Sequence, residues 1–222
     1  MNTLFGLLQD RAKFIAEISG SVDLKRKIVN LLVISVIGFA AYGFIMGLSN
    51  SFLQSLSSMV KLPLLYLVTT LICFPTFFIF YSLFGSKTSV SQTLAYLLTA
   101  ICVMSLILLA FAPVTLFFLL TSNDYPFFKL LNVLFFSVSG IIGVSFFRKM
   151  IVSIDNAEAA ATRKKFLFFW MILFAFVGTQ LGWTLRPFFG APSMPFELVR
   201  KLGGNFYRDV FASIAALFDF VD

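Results

Sequence analysis

Histidine is absent from the 222 residues. That excludes every site built on imidazole, from His-ligated haem or zinc to His general bases and Ser-His or Cys-His nucleophile pairs. Charge is scarce as well. Only 12% of residues are charged, where a water-soluble domain of this size needs roughly 25% to cover its surface, so the simple soluble classes fall away. Acids are fewest, ten in all, and none falls inside a long apolar run: Asp10, Glu17 and Asp23 precede the first, Asp124, Asp155 and Glu158 lie between runs, and four follow the last. Proton-coupled carriers and metal-ion pathways generally place a carboxylate at membrane depth, and here the sequence offers none. The two cysteines, Cys73 and Cys102, have no neighbouring charge to activate a thiolate and read as small packing residues near the centres of adjacent antiparallel spans, at similar depth.

Hydrophobic residues make up 59% of the chain, Phe alone occurs 31 times, and the mean hydropathy is +0.96. About 20 apolar residues cross a hydrocarbon core near 30 Å thick. Five runs meet that length: 28–48, 62–84, 93–111, 127–147 and 166–185, the fourth interrupted only by Lys129, which is expected to snorkel to the headgroups. These runs are continuous rather than alternating, which selects helices over barrel strands. The expected fold is an all-α membrane protein with five transmembrane helices and interfacial amphipathic helices at both termini. Its three parts are a cytoplasmic segment 1–27, a bundle 28–185 and an outer-face tail 186–222.

A cleavable signal peptide is not expected, because 27 residues with three acids precede the first run. Lys and Arg set the orientation. With the N-terminus inside, the inner segments carry Arg11, Lys13, Lys25, Arg26, Lys27, Lys87, Arg148, Lys149, Arg163, Lys164 and Lys165, eleven against six outside. This predicts a cytoplasmic N-terminus and an outer C-terminus. Residues 3–20 place Leu4, Leu8, Ile15 and Ile18 on one helical stripe with Arg11 beside it, suited equally to a membrane surface or to packing on cytoplasmic loops or on a partner. Near the other end, Phe206, Val210, Ile214, Leu217 and Val221 share a helical face after Asn205 or Asp209. Between the first two runs, Phe52, Leu56 and Met59 predict a short interfacial helix.

Small residues let transmembrane helices approach closely. Two GxxxG patterns, Gly43 to Gly47 and Gly178 to Gly182, and the group Ser139, Gly140 and Gly143, are expected packing seams, joining helices within the chain or between chains. Pro75 lies mid-span and Pro113 follows the third span, where each bends or ends a helix. Gln180, Asn132, Thr69, Thr70 and Thr76 are the notable polar groups at or near depth, expected to make interhelical or backbone bonds. Seven Phe-Phe pairs alone do not define a pigment or quinone pocket, so no cofactor and no metal is expected. One segment carries more than packing, 178–208. Trp183 is set for the interfacial belt, and Arg186 stands at the membrane edge with Pro187 stopping the helix directly after it. Pro192 and Pro195 then stiffen the chain beyond the helix. Arg186 either anchors a helix end or clamps a phosphate or carboxylate.

At this segment the chain resembles a family of uncharacterised bacterial multispan inner-membrane proteins with a W-x-L-R-P-F-x-G-x-P-x-x-P-F-E run. Trp183, Leu185, Arg186, Pro187, Phe188, Gly190, Pro192, Pro195, Phe196 and Glu197 match it, and Asn205, Phe206 and Tyr207 come after. The stretches at 61–75 (KLPLLYLVTTLICFP) and 125–133 (YPFFKLLNV) are similar to that family too. This implies a bacterial inner-membrane address and transfers no activity. More loosely, the five-span layout is similar to Yip1-type membrane proteins, which implies a non-catalytic interaction protein by fold analogy alone. The functional expectation is therefore a non-enzymatic integral subunit that anchors or scaffolds a larger membrane complex, with the lipid bilayer, other membrane subunits or further copies of itself as partners and no nucleic acid. The alternative is a lipid or small-solute transporter or scramblase using Arg186 and Gln180.

Overall fold

The computed structural model describes residues 3–122, 124–154, 160–190, 196–199, 204 and 206–219. Pro192, Pro195, Asn205 and Val221, and the loop acids Asp155 and Glu158, lie outside the described residues, as do the side chains of Leu4 and Leu217. The described residues are helical throughout apart from turns and short connections. In chain order the helices are α1 (Thr3–Gln9), α2 (Arg11–Ser19), α3 (Leu24–Gly47), α4 (Phe52–Leu83), α5 (Val90–Thr121), α6 (Tyr125–Ser153), α7 (Ala160–Leu185) and α8 (Phe206–Asp219). Helices α3 to α7 are long and apolar enough to cross a membrane. The fold is an all-α, multi-pass membrane bundle in contact with lipid. No more than a third of each span's most apolar stretch is buried within the protein, and the outward faces carry large apolar side chains such as Leu71, Leu120 and Ile141.

The helices run longer than the apolar runs expected for them. Helix α4 begins at Phe52, so the expected interfacial helix is one with the second span, and α5 continues through Pro113 to Thr121. The reason is the solvent. A proline removes one helical hydrogen bond, whereas ending the helix in hydrocarbon would strip several backbone groups of partners that no water replaces. Pro63, Pro75 and Pro113 all sit inside helices accordingly. At 1.5 Å per residue, the 32 residues of α4 and of α5 each span about 48 Å, well beyond a core of about 30 Å, so their ends stand outside it or the helices tilt.

The most extensive helix pairs run in the order α7–α4–α3–α5–α6. Helix α3 is the axis, and its buried residues Leu31, Ser35, Gly38, Phe39, Tyr42, Gly43 and Met46 follow helical spacing. A Cβ on Gly43 would lie 2.4 Å from the Ser58 carbonyl oxygen, and one on Gly47 would lie 2.5 Å from the Ser55 Cα. Only glycine permits this approach of α3 to α4. Gly143 of α6 likewise accepts Met104 of α5, whose Cγ would lie 2.2 Å from an added Cβ. Stacked rings fasten the same pairs: Phe39 on Tyr66 at 4.1 Å and Phe111 on Phe135 at 4.3 Å. Because α3 stands between α4 and α5, the two cysteines face different neighbours. The Cys73 carbonyl accepts the Trp170 indole N–H of α7 at 3.1 Å, while the Cys102 carbonyl accepts the Ser105 hydroxyl beside α3, and both thiols are free and buried.

The N-terminal segment is two helices rather than one. The chain turns at Asp10, whose carboxylate caps α2 by accepting the Lys13 backbone N–H, and this re-registers the two halves. The buried anchors are therefore Leu7, Phe14 and Ile18; Leu8 of the expected stripe is exposed, and Ile15 is half-buried. Both helices pack on the bundle, with the Ser19 hydroxyl 2.7 Å from the Tyr96 hydroxyl and Gln92 donating to the Ser19 carbonyl at 2.7 Å. At the other terminus α8 packs on α6 and α7. Lys129 pairs with Asp209 of α8 at 2.8 Å rather than reaching for headgroups, and the inward face of α8 includes Phe206, Asp209, Val210 and Ser213.

Candidate functional site at the end of the seventh helix

Pro187 has no backbone N–H and cannot carry α7 onward, so the carbonyls just beyond the helix need partners from elsewhere. They find them on α4. Gln54, Ser58 and Lys61 stand at spacings of four and three on one face of that helix, all buried. The Gln54 side-chain amide donates to the Pro187 carbonyl at 2.8 Å and the Phe188 carbonyl at 3.2 Å; Ser58 donates to the Phe188 carbonyl, and the Lys61 ammonium to the Pro187 carbonyl at 3.0 Å. From the α3–α4 turn, the Ser49 hydroxyl reaches the Phe189 carbonyl at 3.1 Å. Gly190 closes the strap with a φ of +41°, where an added Cβ would lie 2.6 Å from the Asn50 Cγ. The Phe189 ring packs edge-on against Tyr125 and Phe128 at the start of α6. The strap 187–190 thus joins three helices that are far apart in sequence.

The patch lies on the face of α4 turned away from its exposed apolar residues. Phe52 and Leu53 are 64% and 59% exposed, and Leu56 points outward too, whereas Gln54, Ser55 and Ser58 are buried. In lipid the apolar side chains belong outside and the polar ones turn toward internal partners. Among the described residues no carboxylate pairs with Lys61; its charge rests on the Pro187 carbonyl. The signal for the patch was the polar i, i+4, i+7 spacing within an otherwise apolar stretch, but its partner lies over 120 residues away.

The residues singled out from the sequence separate. Pro187 is buried inside the patch, and Arg186 lies beside it with its guanidinium stacked 3.4 Å over the Trp183 ring, the geometry of a cation held on an aromatic face. Gln180 is half-buried six residues before Arg186, where its backbone carbonyl accepts the Thr184 hydroxyl at 2.9 Å. Gly43, Gly47 and Gly143 sit in close helix contacts, and Ser139 is buried with its hydroxyl on the Phe136 carbonyl at 3.0 Å. Gly178 and Gly182 do not form such a seam among the described residues: Gly178 would meet only Thr69 at 3.7 Å, and Gly182 nothing within 4 Å. Asn132 takes an interhelical bond, accepting from the Tyr42 hydroxyl at 2.8 Å while Thr115 donates to the same hydroxyl at 3.2 Å, which ties α3, α5 and α6 together. Thr69 and Thr70 bond back to carbonyls of their own helix. No cluster of three or more metal-ligating side chains occurs among the described residues. No family model matches the chain, and neither a curated protein nor a solved structure is detectably similar to it.

Proposed function

We propose that the protein is a non-catalytic integral membrane subunit that anchors or scaffolds a larger complex through helix packing and docked tails. The observation that carries this reading is the strap: Gln54, Ser58 and Lys61, the most polar buried group on α4, hold backbone carbonyls of residues 187–188 rather than lining a path or a reaction site. Polar side chains committed to backbone in this way rigidify an outer surface, which is what a partner binds most cheaply. The address that fits is a bacterial inner membrane, with the N-terminus cytoplasmic and the C-terminus outside, because the positive charges gather at the end that carries α1 and α2. Reporter fusions to each terminus test that orientation. Cross-linking in native membranes tests the scaffold role: a recurring protein partner is the expected result, and a protein that is solitary and monodisperse in mild detergent, with nothing cross-linked, contradicts it.

The transport reading rests on the Arg186 guanidinium being held at the end of α7. It gains support only if flux or lipid scrambling in reconstituted vesicles disappears in Arg186→Ala, and it is removed by equal flux in empty vesicles.

A further inference from the structure

Where α4 ends and α7 begins, the two helices part around a shallow, open apolar groove of about 410 Å³. Its floor is aromatic. The Phe166 ring lies 5.7 Å from that of Phe80 and 5.4 Å from that of Phe84, and Trp170 is pinned by its indole N–H on the Cys73 carbonyl. Arg163 ties the two helices at the groove's end by donating to the Phe84 carbonyl at 3.3 Å. Among the lining residues Lys165, exposed, carries the one charge. The same end of the bundle bears Lys25, Arg26, Lys87, Arg148, Lys149 and Lys164, with Asp10, Glu17 and Asp23 as the described acids there.

We propose that this groove holds one acyl chain of an anionic phospholipid whose phosphodiester sits at Lys165. An aromatic trough complements a hydrocarbon chain, and a single ammonium at its mouth, set in a basic end of the bundle, complements a headgroup that carries net negative charge. A zwitterionic lipid would fit the trough equally well but forfeit the field of the surrounding cations. A free oxyanion would meet Lys165 and leave the trough empty. The groove is independent of the strap on the opposite end of α4, so its occupancy and the scaffold role stand or fall separately.

The experiment is native mass spectrometry of the full chain taken from mixed vesicles of equal phosphatidylglycerol and phosphatidylcholine. Wild type is expected to retain phosphatidylglycerol about fivefold over phosphatidylcholine. Lys165→Gln should abolish that preference, whereas Lys164→Gln, which removes the same charge one residue away from the groove, should keep most of it. Thr76→Trp fills the trough and should lower retention of both lipids, with its folding checked by thermal unfolding. Equal retention of the two lipids by wild type overturns the proposal. So do equal losses in Lys164→Gln and Lys165→Gln, which would mean diffuse charge, and so does unchanged retention in a folded Thr76→Trp protein. If inorganic phosphate displaces the retained lipid at millimolar concentration, the site reads the anion alone and the acyl-chain assignment fails.

Discussion

The two ends of the molecule hold their non-spanning segments by different balances of apolar packing and side-chain hydrogen bonds to backbone carbonyls. At one end α1 and α2 are fixed by apolar anchors, Leu7, Phe14 and Ile18, with an ion pair between Glu17 and Lys27 at 2.9 Å on the rim. At the other end the strap after α7 is fixed by side-chain hydrogen bonds from α4 to backbone carbonyls. The apolar end resembles a soluble protein's core. The strap end follows membrane logic, in which burying polar groups against each other leaves the apolar ones to lipid. The lesson is that attachment strength and condition dependence should differ between the ends, and substitution can separate them.

The largest expected effect is at the apolar end. Phe14→Ala should cost about 3–5 kcal/mol of local attachment and expose the first 20 residues to protease while the spans stay intact. Equal protection of that segment would show that α2 is held by something other than its core ring. Next comes the α3–α4 seam that positions the strap's donors. Gly43→Ala forces a Cβ onto the Ser58 carbonyl and should cost about 1–3 kcal/mol in unfolding assays. Gly182→Leu, with open space at its Cβ, should stay within about 0.5 kcal/mol of wild type. A large loss of assembly in Gly182→Leu without loss of stability would place a second chain on that face.

At the strap itself, Gln54→Leu removes the donor shared by the Pro187 and Phe188 carbonyls and should weaken the strap by about 1–3 kcal/mol, read as faster proteolysis after residue 186. The smallest effect concerns pH and should be confined to the opposite end. The hydrogen bond from Lys27 holds the Glu17 carboxyl below the usual carboxylate range. A carboxyl depressed in the folded state stabilises fully above its unfolded value and loses that contribution as pH falls through its folded one. Protease sensitivity at 3–20 should therefore rise at acid pH while the strap's does not change, and Glu17→Gln should remove the pH dependence.

The five spans were legible because lipid demands a run of apolar residues, and that demand is local. Their ends were not. Lys61 and Pro113 read as boundaries by charge and by breaker, yet α4 carries Lys61 inside because Pro187 supplies an acceptor, and α5 passes Pro113 because one missing bond costs less than an open helix end in hydrocarbon. Leu8 was misplaced for a local reason, the turn at Asp10. The pairing of the strap with its anchors was invisible for a distant one: Gln54 and Pro187 are 133 residues apart, and neither carries a mark of the other. Arg186 drew attention through its motif, but its neighbour Pro187, by withholding an N–H and offering a carbonyl, is the residue the bundle grips.

The most direct test of the scaffold role is the quantitative recovery of cross-linked partners from native membranes, compared between wild type and Gln54→Leu at equal expression and equal span stability. If the docked strap presents a binding surface, wild type should bring down a recurring membrane partner and the variant should lose most of it. A chain that comes out of native membranes alone in both cases would contradict the claim that contact is its work.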